Sequence, residues 1–212
     1  MNKPGKNSGV CFLLLASMIF GGSINPAAAT TADKSTNLND IEKQIRQADA
    51  LVQKGREAMS DITAARQLLI KHHEEEAHQY LKKARDVLGK LKAEMNNKEG
   101  DNTGLLPIYS QLGISKEVEF TEELRQKQET THLDVIRGKH KKVIETLKNI
   151  NVELQYSFVD LPIEITLGKI ESALKSLSEK NITQATERLS EAEAELIHDT
   201  IVINAVNDKP AG

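Results

Sequence analysis

The residues of this chain best suited by type to do chemistry are His72-His73-Glu74-Glu75-Glu76-Ala77-His78. Imidazoles and carboxylates are common zinc ligands, and a zincin sets two histidines four apart on one helical face, with a glutamate directly after the first. Here His73 and His78 are five apart and straddle a turn, so the stretch reads as a solvated helix start with acids placed where the macrodipole favours them. No metal ligand is assigned. The chain has no Gly-rich phosphate loop and no Gly-x-Ser-x-Gly elbow, and its single cysteine, Cys11, lies near the N-terminus. Acid pairs such as Glu122-Glu123, or Glu191 with Glu195, fall on helix faces where carboxylates normally meet water, which disfavours a glycosidase pair. The expectation is a protein without catalytic residues, metal or cofactor.

Two weaker patterns remain. All six histidines (His72, His73, His78, His132, His140 and His198) titrate in mild acid when unperturbed, at a pKa of about 6.5. They are therefore candidate pH-responsive groups. Tyr109, Tyr156 and Phe158 fall in segments of strand character and could line a small-molecule pocket against the helices.

The elements that must position these residues are helical. Ala65, Leu69, Ala77, Leu81, Ala84 and Leu88 are matched, 108 positions on, by Ala173, Leu177, Ala185, Leu189, Ala192 and Leu196, with Ile62 and Ile170 extending the match. In each copy the apolar residues recur three or four apart, skip a polar gap and resume, which predicts an αα-hairpin. A third copy, at an offset of 66, aligns Val143, Leu147, Ile150 and Leu154 with Ala77, Leu81, Ala84 and Leu88. The offsets of 66 and 42 are no constant period near 34, so a compact bundle is expected rather than a solenoid.

Read in order, a first helix is expected from about Asn39 to Ile70 on the seam Leu38, Ile41, Ile45, Ala48, Val52, Gly55, Met59 and Ile62, and a second helix to about Met95. Ile108 to Leu112, Val118 to Phe120 and the alternating Val152 to Phe158 read as short strands, with Gly113 as a hairpin turn between the first two. Helices follow over Glu122 to Ile136 and Lys141 to Ile150, then from about Pro162 to Ser178 and from Ile182 to about Ile197, the last opened by an Asn181/Gln184 capping box. Ile201 to Ile203 reads as a short strand or a helix end. The fold class is mainly α with a small antiparallel β element: helical hairpins packed as a bundle around a short two- to three-stranded sheet.

The chain start looks like a secretory leader over residues 1–29. Lys3 and Lys6 precede the apolar run Val10 to Phe20, and Ala27-Ala28-Ala29 supplies an A-x-A site cut between Ala29 and Thr30. That run is too short for a bilayer, which needs about 20 residues, so no stable membrane insertion is expected after cleavage. Residues 30–36 read as a flexible segment, 37–206 as a single helical domain and 207–212 as a disordered tail. Removing Lys3 and Lys6 from 28 basic and 31 acidic residues leaves a net charge of −5, which offers no footprint for nucleic acid. Protonating all six histidines moves it to +1, so mild acid removes self-repulsion and favours association into a homo-oligomer.

Several patches carry a family likeness. Met59-Ser60-Asp61-Ile62-Thr63-Ala64-Ala65-Arg66, the stretch Ala77 to Leu88, Gly113-Ile114-Ser115, Gly138-Lys139 and the closing Ala185 to Ile203 together resemble the YfdX protein family of enteric and related bacteria, over about residues 40 to 205. The resemblance implies a periplasmic, mostly helical protein linked to stress and acid resistance, without established enzymatic activity and with no catalytic residues to transfer. Lys90 to Gly104 departs from the family in its lysine- and glutamate-rich composition. The expected function is a non-catalytic periplasmic stress protein, an acid-related holdase for unfolded clients. The alternatives are a small-molecule-binding helical bundle and a structural subunit of an envelope assembly.

Overall fold

The computed structural model describes residues 10–14, 32–96, 104–115, 131–149 and 152–204. Its elements in chain order are β1 (Val10–Leu14), α1 (Ala32–Ile70), α2 (Glu74–Asn96), β2 (Leu105–Ser115), α3 (131–136), α4 (His140–Leu147), β3 (Leu154–Pro162), α5 (Ile163–Ser178), α6 (Ile182–Ala194) and β4 (Ile197–Ile203). The architecture is mainly helical with a small antiparallel sheet, as the sequence predicts. Strand order is β1-β2-β3-β4. Strands β2 to β4 lie in the body of the chain, and β1 adds along β2 in antiparallel register from Val10 opposite Ser115 to Leu14 opposite Gln111. Part of the apolar run read as a leader is thus extended. The processing site at Ala29 and Thr30, the strand expected at Val118 to Phe120, the helix start at Glu122 and the tail 207–212 lie outside the described residues.

Four boundaries differ from expectation. The first helix reaches back to Ala32, into the segment expected to be flexible, because no glycine or proline interrupts the chain between Ala32 and Lys54. Gly113 is no hairpin turn: it is a buried residue inside β2, opposite Phe12 of β1. Third, β3 begins at Leu154 and continues through Pro162, which then serves as the N-cap residue of α5. Helix α6 stops at Ala194, and the chain from Ile197 is strand, so Ile201 to Ile203 close a β-strand rather than a helix. The β-branched series Thr200-Ile201-Val202-Ile203 favours the pleated conformation.

The chain falls into two compact units, one of Met1–Ala48, Ser110–Ser157 and Thr200–Gly212, the other of Asp49–Tyr109 and Phe158–Asp199. The second holds the core cluster. There Ile62, Ala65, Leu69, Ala77, Leu81, Ala84 and Leu88 of the α1–α2 hairpin are buried, as are Ile170, Ala173, Ala185, Leu189 and Ala192 of the α5–α6 hairpin. Alanines on the inner stripe bring helix axes close, and each fully buried leucine contributes roughly 1.5–3 kcal/mol. Gly55 serves the same end where α1 meets the strands: a Cβ there would stand 2.7 Å from Leu106 Cδ2 and 2.9 Å from Ile108 Cγ2. Arg56 Nε donates to the Ile108 carbonyl beside it.

The other unit is built on α3, α4 and the adjoining strand residues. Val135, Val143, Leu147, Leu154, Tyr156 and Ile203 are buried there. Lys142 reaches the buried Asp134 at 2.8 Å, and Arg137 donates to Gln44 Oε1 at 2.8 Å. Asn204, at φ 58°, donates to the carbonyls of Leu147 and Val152 and so ties the end of β4 to the end of α4.

The three hairpins close with one turn geometry. The amides of His73, Lys139 and Asn181 donate to the carbonyls of Leu68, Asp134 and Ser176, while those of His72, Gly138 and Lys180 donate to Leu69, Val135 and Leu177. This is the Schellman pattern, and its left-handed residue is His72 (φ 62°), Gly138 (φ 69°) or Lys180 (φ 59°). The spacings are the 66 and 108 seen in the apolar pattern, so the repeat extends to backbone hydrogen bonds.

Candidate functional site

The histidine and acid cluster is dispersed by that turn. His72 is exposed at the left-handed position, His73 Nδ1 lies 2.9 Å from Glu76 Oε2 on the solvated start of α2, and His78 is half-buried one turn on. Among the described residues no three histidine, cysteine, aspartate or glutamate side chains gather where they could hold a metal ion. His198 is exposed on β4 and His132 is half-buried in α3. His140 Nδ1 lies 2.9 Å from the hydroxyl of Tyr156, with the rings tilted by 48° and centred 5.8 Å apart. Tyr156 is fully buried, so this hydrogen bond satisfies a phenol that water cannot reach. Phe158 is also buried while Tyr109 is exposed, and none of the three aromatics lines either groove described below.

Two open grooves mark the helical unit. The first, of about 610 Å³, runs along α1 over Met59, Ser60, Thr63, Ala64 and Gln67 and is also lined by Glu193 and Leu196. Its lining is mostly apolar, and the Arg66–Glu193 ion pair at 3.0 Å fixes one wall. Small side chains at Ser60 and Ala64 leave it open.

The second groove, of about 490 Å³, lies between α5 and α6 and is polar. Gly168, Ser172 and Ser176, one helical turn apart on α5, line it together with the charged Glu164, Lys169, Lys175, Glu179 and Arg188. The hydroxyls point back into the helix, from Ser172 to the Gly168 carbonyl and from Ser176 to the Ser172 carbonyl. Lys169 and Arg188 converge on Glu191, at 2.6 and 2.8 Å. Those two cations hold the Glu191 carboxyl below the usual carboxylate range, the Lys169 hydrogen bond contributing most.

The repeat relates this ion pair to another. Position 169 matches Asp61 and position 191 matches Lys83, and Lys83 reaches Asp61 at 3.1 Å. Both copies therefore join their two helices by a pair 22 residues apart, with the charges exchanged. In the first copy the acid is on α1 and is buried, with its ammonium partner at the surface. Sequence reading missed Lys169, Lys175 and Arg188 as a group. The signal was present in the 108-residue offset, had charged positions been aligned together with the apolar ones.

No helix among the described residues is long and apolar enough to cross a membrane. Comparison with known proteins agrees with the likeness read from the patches. No curated protein matches the chain. A solved structure of Salmonella Typhi YfdX is similar, with 20% identity over 71% of this chain and 90% of that one, at a TM-score of 0.48. The model of the YfdX protein family matches residues 58–202, which is well over half of the sequence and spans both helical hairpins of the core, and the chain therefore belongs to the YfdX family.

Proposed function

We propose that this YfdX protein acts without catalysis in the bacterial periplasm, holding partly unfolded clients against aggregation when the envelope is acidified. The observation that carries the reading is the apolar groove along α1, where Met59, Ala64 and Leu196 frame an open channel. Ile70, Tyr80 and Ile165 are large apolar side chains left exposed on the same helical unit. Apolar surface open to water in a rim of charge is what a holdase needs, because exposed hydrophobic segments of a client bury area there without requiring a fixed sequence. The leader-like start supports export, and the six histidines supply the charge change that acid would trigger.

The test is suppression of aggregation of an acid-denatured client by the mature chain, compared with Ala64→Glu and Leu196→Ser, both at half-buried positions. Loss of suppression in the variants, with helical circular dichroism intact, supports the reading. Undiminished suppression by both overturns the assignment to this groove. Light scattering from pH 7.5 to 4.5 tests the acid-driven assembly into a homo-oligomer, which an unchanged mass would rule out.

A further inference from the structure

The polar groove between α5 and α6 has a built-in reference, because the α1–α2 hairpin repeats it. In the first hairpin the interhelical pair is self-contained: one acid, Asp61, meets one base, Lys83. In the second, a single carboxylate, Glu191, serves both Lys169 and Arg188. A third cation, Lys175, lines the same groove, and among the described residues it makes no ion pair. The positions that match Arg188 and Lys175 in the first hairpin are Tyr80 and Gln67, both uncharged. The extra cations therefore answer no demand of the hairpin fold, since the first copy folds without them.

Two acids, Glu164 and Glu179, also line the groove, and Glu187 acts on Arg188 from the same helix. Glu164 is held by Lys92 of α2 at 2.7 Å, and Glu179 stands at the far end, past the last turn of α5. Arg188 uses only Nη1 toward Glu191, at 2.8 Å to each oxygen, so Nε and Nη2 keep donors for another acceptor. A guanidinium offers these in a planar fork that matches a carboxylate or phosphate edge. The lining at Gly168, Ser172 and Ser176 is small and polar, with no side chain at Gly168 and a Cβ there meeting nothing within 4 Å. A volume of about 490 Å³ accommodates a small organic acid, while the polar lining is unsuited to an apolar client.

We propose that this groove binds a compact oxyanion carrying two or more negative charges, held by Lys169, Lys175 and Arg188 with Glu191 as the internal competitor. A polycarboxylate and a phosphate share this chemistry, so both are used as probes. Citrate and inorganic phosphate are titrated calorimetrically into the full chain at pH 7 and low salt, with sodium chloride at matched ionic strength as the blank. Saturable binding is expected, weakened about tenfold or more by Arg188→Gln and by Lys175→Gln, as loss of a charge-assisted hydrogen bond implies. Glu191→Gln, which releases Lys169 and Arg188, is expected to bind the same probe more tightly. Thermal unfolding of each variant, with and without probe, separates a lost site from a lost fold: a folded Arg188→Gln chain must lose the probe-induced rise in Tm. Binding by one probe alone fixes the class of anion. No saturable binding of either probe at about 10 mM, or equal binding by wild type and both cation variants, overturns the proposal.

Discussion

The left-handed residue of the three hairpin turns gives a prediction with its own controls. His72, Gly138 and Lys180 occupy the same backbone position at φ values of 62°, 69° and 59°. Only the middle turn carries the residue that position favours. An L-residue held in this region costs roughly 1–2 kcal/mol, whereas glycine loses about 0.4–1 kcal/mol more entropy on folding than a residue with a Cβ. The difference leaves His72→Gly and Lys180→Gly each stabilising by about 0.5–1 kcal/mol, and Gly138→Ala destabilising by about 1 kcal/mol or more. Neither His72 nor Lys180 is buried, so little packing is lost with the side chain. For a chain of this length 1 kcal/mol corresponds to about 2–4 °C in Tm, which thermal unfolding followed by circular dichroism resolves. Asn, which tolerates the left-handed region, should fall between the native residue and Gly at both exposed turns. A fall in Tm for both glycine variants, or no loss for Gly138→Ala, would show that the shared Schellman geometry does not set the energetics of these turns.

Packing and charge give further expectations. Gly55→Ala forces a Cβ against Leu106 and Ile108, so overpacking of about 1–3 kcal/mol opposes a helix-propensity gain of about 1 kcal/mol, while Gly89→Ala, with nothing within 4 Å, keeps the whole gain; urea unfolding should separate the two by about 2 kcal/mol in opposite directions. Exchanging the first ion pair, Asp61→Lys with Lys83→Glu, copies the orientation of Lys169 and Glu191, and the double variant should recover at least half of what the singles lose; a cycle with zero coupling energy would count against a shared role. Because the Lys169 and Arg188 hydrogen bonds depress the folded-state pKa of Glu191, its stabilising contribution is present above the usual carboxylate pKa and is lost as pH falls through the lowered one; the stability gap between wild type and Glu191→Gln should therefore narrow as the pH is taken below the usual carboxylate range.

The hairpins were legible because burial of one helix face imposes a 3.6-residue period that survives in the apolar letters alone. Ile62, Ala65, Leu81 and Ala84 are where the spacing places them, as are their partners 108 residues on. The Asn181/Gln184 cap was legible too, and the Gln184 amide donates to Asn181 Oδ1 at 3.1 Å. What the letters hid depends on partners distant in sequence. Gly113 looks like a turn until β1 pairs across it, and Gly55 looks like a weak seam position until Leu106 and Ile108 approach it. Of β4 only the end, Ile201 to Ile203, was legible, and as one of two options, because Leu196 and Ile197 continue the helical apolar period and exposure of Ile197 through Thr200 removes the alternation that marks a half-buried strand. Lys169, Arg188 and Glu191 read as solvated charges because a pair 22 residues apart becomes visible only once the turn folds α6 back on α5.

Internal repetition also offers a way to separate fold from function when no reaction is evident. Positions alike in the copies, such as the alanine and leucine stripes, the left-handed turn and the interhelical ion pair, are what any such hairpin needs in order to close. The ion pair makes this clear, since exchanging its charges between copies preserves the interaction although neither residue type is kept. Positions that differ are released from that demand. Groove-lining positions are among those that differ: Ser60, Ala64 and Gln67 line the one along α1, while Gly168, Ser172 and Lys175 occupy the matching places on α5. One groove is mostly apolar and the other polar and charged, on backbones with the same hairpin turn. On the two proposals above, these faces take different partners, a client segment for the first and an anion for the second. Variants in one groove should accordingly leave the other's binding unchanged: Ala64→Glu should spare anion affinity, and Arg188→Gln should spare client protection. Crossed effects in folded variants would mean that the grooves act as one site, and this division of labour would fail.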